Sequence, residues 1–195
     1  MANFIVETSA RHVHVTKETL EALFGEGFSL EARTMLSQPG QFASFQRVIV
    51  KGPKGSLKCS ILGPVRKENQ VELSITDARS IGISAPIRES GDTALTPGCI
   101  LINPDNGCEV KLENGVIVAK RHIHMTEDDA KNFNVKNGDI VSVKILNETG
   151  RNVIFSDTVI RVSNNYSLAM HIDTDEANCC ALGTIKGTIY GEIVK

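Results

Sequence analysis

"RHVHVT" at Arg11–Thr16 and "RHIHMT" at Arg121–Thr126 are near copies of one phrase, more than a hundred residues apart in a chain of 195. Histidine is sparse here, and four of the five in the chain lie in these two phrases. In extended backbone, residues i and i+2 face the same side, so His12 with His14, and His122 with His124, each present two imidazoles toward one point. The apolar residue between them faces the other way. The pattern therefore predicts a strand with two imidazoles side by side, able to grip a metal ion. In both copies a threonine follows, Thr16 and Thr126, and each reads as the cap of a short helix. The first helix carries Leu20, Leu23 and Phe24 at helical spacing. The second begins with Glu127, Asp128 and Asp129, where the helix dipole favours acids. Strand followed by capped helix, stated twice, argues for an internally duplicated fold.

The rest of the chain fits a mainly β protein. "NGDIVSVKIL", beginning at Asn137, reads as a Gly-Asp turn and a strand that sets Val141, Val143 and Ile145 against Ile140, Ser142 and Lys144. "FIVETSARHVHV" reads as extended backbone, and "CEVKLENGVIVAK" as a hairpin turning at Asn114-Gly115. Glycines punctuate short β-branched runs throughout, and two small barrels suit this spacing better than one long sandwich. No Pro/Ser/Gly-rich linker separates halves, so two closely packed units are expected.

Composition excludes several classes. With 41% apolar and 23% charged residues, the balance is that of an ordinary globular protein. No apolar run approaches the length of a membrane helix, and the N-terminal sequence lacks the regions of a secretory signal, so a cytoplasmic address is expected. A net charge of −2 argues against a general nucleic-acid binder. The five cysteines, at 59, 99, 108, 179 and 180, form no CxxC pair, and reduced thiols fit them best.

Other residues carry chemistry by their setting. His171, in "LAMHIDTDEANCC", completes the histidine set. Three imidazoles with an open position form a catalytic zinc pattern, and a second metal would need a carboxylate to join the other pair. Glu72 is the candidate, an acid between Val71 and Leu73 on a strand; the plainer reading is an outward-facing strand residue. Arg66 follows Gly63-Pro64, a turn that would project its guanidinium either toward a ligand or into water. From Arg47 to Lys67 the cations run uninterrupted by acids, and Lys51, Lys54 and Lys58 among them suit either a solvated hairpin face or phosphate contacts.

"SARHVHVT", "LGPVRKENQVELSITDARSIGI", "PIRESGDTALTPG", "KRHIHMT" and "LAMHIDTDEAN" together resemble the PduL-type phosphate propanoyltransferases, the phosphotransacylases of propanediol degradation. The resemblance spans about Asn3 to Tyr190. It implies two closely packed β-barrels with short capping helices, one from residues 1–10 with 120–195 and one from 11–119, and a dinuclear zinc site between them. Carried over by motif, His12, His14 and Glu72 hold one zinc and His122, His124 and His171 the other. Arg66 is then the phosphate-binding arginine, and acyl-CoA and phosphate are the partners. A homo-oligomer is compatible with this reading. Microcompartment members of the family carry an added N-terminal amphipathic helix; little sequence precedes His12 here, which implies a free cytoplasmic enzyme or one packaged by another route.

The chemistry implied is reversible transfer of a propanoyl or acetyl group between coenzyme A and phosphate, by direct zinc-assisted attack. A dinuclear zinc hydrolase of phosphoesters or thioesters would use the same six ligands, and a metal-stabilised binding barrel would need closed coordination. Cys179 and Cys180 invite a nucleophilic reading, but a thiol needs a base, and each histidine is already committed to metal.

Overall fold

The computed structural model describes residues 3–194. Strands and helices follow in chain order as β1 (Phe4–Thr8), β2 (His12–His14), α1 (Lys17–Phe24), β3 (Ala32–Met35), β4 (Phe42–Lys51), β5 (Ser56–Gly63), β6 (Gln70–Glu72), α2 (Ile75–Ser80) and β7 (Ile87–Arg88). They continue as β8 (Cys99–Ile102), β9 (Glu109–Leu112), β10 (Val116–Ala119), β11 (His122–Met125), α3 (Glu127–Phe133), β12 (Ile140–Leu146), β13 (Ile154–Val162), β14 (Ala169–Ile172), α4 (Thr174–Cys179) and β15 (Tyr190–Val194). The protein is mainly β, and the helices among the described residues are short. The chain divides into two compact units: Met1–Ser9 with Ser37–Pro39 and Lys120–Lys195, and Ala10–Leu36 with Gly40–Ala119.

The first unit closes into a six-stranded barrel in the order β1-β14-β11-β13-β12-β15. The second is a nine-stranded half-barrel sheet, β7-β10-β6-β2-β5-β4-β8-β9, with β3 paired to β4. The duplication read from the sequence is present in the pairing. In the barrel β11 lies antiparallel to β14 and parallel to β13, which is antiparallel to β12. In the sheet β2 lies antiparallel to β6 and parallel to β5, which is antiparallel to β4. Each histidine strand thus sits between the same two kinds of neighbour.

The alternation along those strands is what anchors them. Val13 pairs with Ile61 on one side and Val71 on the other, and all three are fully buried. Ile123 pairs with Ile160 and Met170, again fully buried. Each apolar trio joins a separate core, the one in the sheet extended by Val15, Leu20 and Leu23 and the one in the barrel by Phe4, Val143 and Ile145. The predicted caps form: Thr16 accepts from the Thr19 amide, and Thr126 makes a reciprocal capping box with Asp129. On β12, Val143 and Ile145 are buried while Ile140 and Lys144 are exposed.

The extended stretch "FIVETSARHVHV" is divided between the units, with β1 in the barrel, beside β14 and β15, and β2 in the sheet of the other unit. One local expectation is corrected: β9 and β10 do not form a hairpin, since β9 pairs with β8, and β10 pairs in parallel with β6 and β7. Gly115, at φ +114°, turns the chain there, donating to Thr96 Oγ1 at 2.9 Å and accepting from the Val71 amide at 2.8 Å. An Asn-Gly turn fixes the reversal, but the strands it joins lie toward opposite ends of the sheet order.

Ile123→Ala removes a fully buried side chain at the centre of the barrel's histidine strand, so it should lower unfolding stability by about 2–5 kcal/mol. Ile154→Ala, on an exposed β13 position, should stay within about 0.5 kcal/mol. Urea denaturation of the two variants checks both values.

Candidate metal centres

Cross-strand register brings a third ligand to each histidine pair. His12 lies opposite Glu72 across the β2–β6 pairing, and His122 lies opposite His171 across β11–β14. Among the described residues two groups result, His12, His14 and Glu72 in the sheet, and His122, His124 and His171 in the barrel. Within each group one ligand atom per residue falls within 4.8 Å of the others.

In the sheet, His12 Nε2 stands 3.5 Å from Glu72 Oε2, and His14 Nε2 is 3.9 Å from Oε1. His12 Nδ1 sits 2.9 Å from the Ala10 carbonyl. That bond fixes the ring and leaves Nε2 to face the carboxylate. Burial alone would lower the His12 imidazolium, but the Glu72 carboxylate outweighs it and the pKa is raised. For Glu72 burial pushes upward, and the His12 and His14 rings reverse that and hold the carboxyl below its ordinary range. His14 is driven well below its usual value by burial and by the neighbouring His12 and Arg66, so it stays a neutral donor.

In the barrel the first histidine is held in the same way, with His122 Nδ1 2.9 Å from the Lys120 carbonyl. The rings of His122 and His171 stack with centroids 5.2 Å apart, and His124 meets His171 edge-on at 5.0 Å. Tyr166 stacks on His124 at 4.1 Å. His171 Nδ1 is 3.6 Å from Glu7 Oε2, and Ser37 Oγ donates to the same oxygen at 2.6 Å.

These residues fit zinc. Five imidazoles and one carboxylate, converging in two sets of three, form the donor chemistry that zinc prefers in open sites. The His14 ring has the Leu62 backbone as a hydrogen-bond neighbour, while its Nε2 faces the carboxylate.

The other candidates separate by place. Arg66 is half-buried; its amide donates to the Val15 carbonyl at 2.9 Å, and its Nη1 is 3.4 Å from Ser90 Oγ. Ser90 Oγ also donates to Glu72 Oε1 at 3.0 Å, so the arginine and the carboxylate of the metal set share a neighbour. Lys51, Lys54 and Lys58 are exposed. Lys51 and Lys54 lie at the β4–β5 turn, the far end of the hairpin from Gly63, while Lys58 lies two residues before Ser60, the partner of His12. Cys180 is buried, its thiol pushed up to about 11 by burial, and Cys59 and Cys99 are pushed up to about 12 by the same cause.

Several neighbours of the sites escaped sequence reasoning. Gln70, which hydrogen-bonds both Ser90 Oγ and Glu72, stands two residues before Glu72, so the i, i+2 rule that found the histidine pairs would have found it. Glu7 faces His171 by strand register, a pairing between strands remote in sequence. Gln38 clamps Ser167 through both backbone groups, at 3.0 and 3.2 Å, and reaches within 3.5 Å of His171 Nε2. It and Ser90 come from loops, where no periodicity marks a residue.

Comparison with known proteins gives one family. Residues 5–183 match the family described as Phosphate propanoyltransferase. A phosphate propanoyltransferase of Leptotrichia buccalis is 55% identical over 178 residues, covering 91% of this chain and 82% of that protein. Those of Listeria monocytogenes and Thermotoga maritima are 50% and 52% identical, covering 97% and 92% of this chain and 86% and 85% of theirs.

The cysteine environments are testable directly. A thiol-alkylating reagent at neutral pH should label the exposed Cys108 and Cys179 in the folded protein, and should reach Cys59, Cys99 and Cys180 only after denaturation. Peptide mass mapping before and after urea reads the outcome.

Proposed function

The chain belongs to the phosphate propanoyltransferase family, and on that premise we propose that it converts acyl-CoA and phosphate into acyl phosphate and CoA, reversibly, with two zinc ions held by the two ligand groups. The observation that carries the metal part is the repeated register, in which each histidine strand finds its third ligand directly opposite its first histidine. The acyl group is propanoyl by the name of the relatives; acetyl, one carbon shorter, makes the same demands on these residues.

In the forward direction a phosphate oxygen forms a bond to the thioester carbonyl carbon, the C–S bond breaks, and the sulfur leaves as the CoA thiolate. Zinc, when bound, supplies Lewis acidity toward phosphate and carbonyl oxygens and affinity for thiolate sulfur. Arg66 supplies a planar fork that pairs with phosphate oxygens and holds the dianion for attack. Ser90, between Arg66 and Glu72, keeps the guanidinium in register with the metal carboxylate. Glu72, held ionised by its histidines, remains an acceptor only. Lys58, and at longer range Lys51 and Lys54, offer cations to the outlying phosphates of coenzyme A rather than to the reacting group.

No cysteine carries the acyl group in this scheme. Cys180 is a high-pKa thiol directed at the Glu176 and Ala177 carbonyls, at 3.3 and 3.6 Å, and direct transfer needs no covalent intermediate. A dinuclear hydrolase built on the same ligands is not favoured, because the relatives are transferases by name.

Release of free thiol from propanoyl-CoA should require phosphate, stop when metal is stripped by a chelator, and return with added zinc. Thiol release at the same rate without phosphate would establish hydrolysis and overturn the transfer reading. Arg66→Lys keeps the charge but loses the fork, so the KM for phosphate should rise, or kcat fall, roughly tenfold or more, while the KM for acyl-CoA changes little. Initial-rate kinetics against each substrate measures the split.

A further inference from the structure

The arginine that opens each repeated phrase is not part of either ligand set, yet the structure gives it the same work in both units. Arg121 Nε donates to the Ser156 carbonyl on β13 at 2.7 Å, and its Nη1 donates to Glu176 Oε1 at 2.6 Å. Glu176 Oε2 accepts from the Asp173 amide at 3.0 Å, and Asp173 stands two residues after the ligand His171. In the sheet, Arg11 Nε donates to the Lys58 carbonyl on β5 at 3.2 Å, and its Nη1 reaches both oxygens of Asp77 at 3.1 and 3.2 Å. The Asp77 amide in turn donates to Ser74 Oγ at 3.2 Å, and Ser74 stands two residues after the ligand Glu72.

The offsets coincide. Each arginine directly precedes the first histidine of its pair, each acid lies five residues after the third ligand, and each carbonyl belongs to the parallel neighbour of the histidine strand. Each acid is also the third residue after its helix cap, in α2 and in α4. A guanidinium is suited to this because its planar fork donates in two directions at once.

From this recurrence we infer that Arg11 and Arg121 are positioning residues that set the geometry of the two metal groups, an inference that rests on the zinc reading of those groups. The first histidine of each pair hydrogen-bonds the carbonyl two residues before it, Ala10 or Lys120. The arginine is the residue between that carbonyl and the ring. Anchoring it fixes the acceptor that aims the imidazole, and through the acid it fixes the helix start that follows the third ligand. The two paired strands of each group are thereby also tied through residues that flank their ligands. Partly exposed ion pairs contribute little to global stability, with the Arg11 side chain 42% exposed and that of Arg121 26%. Their effect is expected in metal retention, where partners behind the ligands typically matter by about 10–100-fold.

The test uses full-length, zinc-loaded protein and chelator competition, with circular dichroism and thermal melting on each sample. The parent should hold two zinc ions. Arg121→Met should release one of them at about tenfold lower chelator concentration or less, leaving the other at parent affinity, and Arg11→Met should do the same to the other ion. Arg121→Lys, which keeps charge but not the fork, should resemble the Met variant. If Arg121→Met does not fold, Arg121→Lys and Glu176→Gln carry the same reading for the barrel. Folded variants that keep both ions at parent affinity would overturn the positioning role. A parent that takes up no zinc would instead remove the metal reading and the inference with it, and the parent sample tells the two failures apart.

Discussion

The period-two alternation of the histidine strands is the constraint on which the rest depends. With Val13 or Ile123 locked into a core, the imidazoles on either side have one direction left to them, and a slip of one residue would exchange core and site completely. Antiparallel pairing then determines what lies opposite. Residues directly across such a pair approach to about 4.5–5.5 Å, close enough for Glu72 to meet His12 and for His171 to meet His122. The apolar trios Val13–Ile61–Val71 and Ile123–Ile160–Met170 hold that register from behind. Core packing and ligand placement are two faces of the same three strands.

The two units keep this arrangement and differ in charge. The barrel group consists of three imidazoles, with the Glu7 carboxylate standing behind His171 rather than among the ligands. The sheet group includes its carboxylate, Glu72, whose Oε1 accepts from both Gln70 and Ser90. A divalent ion in the barrel group would keep its full charge, and one in the sheet group would be partly neutralised.

Several features were legible because they are local. The helix caps at Thr16 and Thr126 follow from a hydroxyl facing the first free amides of a helix. The strand at Ile140–Leu146 follows from alternation, and the shared facing of each histidine pair from i, i+2 geometry. Reading failed where a local signal had two outcomes. Asn114-Gly115 reverses the chain, as such a turn must, but nothing in the turn says whether the flanking strands pair with each other, and β10 found parallel neighbours in β6 and β7 instead.

By itself, then, the sequence determined the repeated strand-and-helix phrase, the mainly β class, the two imidazole pairs and the resemblance carried by the motifs around Arg66, Glu72 and His171. These depend on short-range sterics, on caps and on pattern, which act over a few residues. Only the tertiary structure decided that Ser37–Pro39 would return to the barrel's unit, and that β10 would pair with β6 and β7 instead of β9. It also decided which acid each leading arginine meets, and that Glu7, Gln38 and Ser90 stand beside the ligands. Contacts between residues far apart in the chain are selected by the register and packing of whole sheets, and that selection leaves no mark at the individual residue.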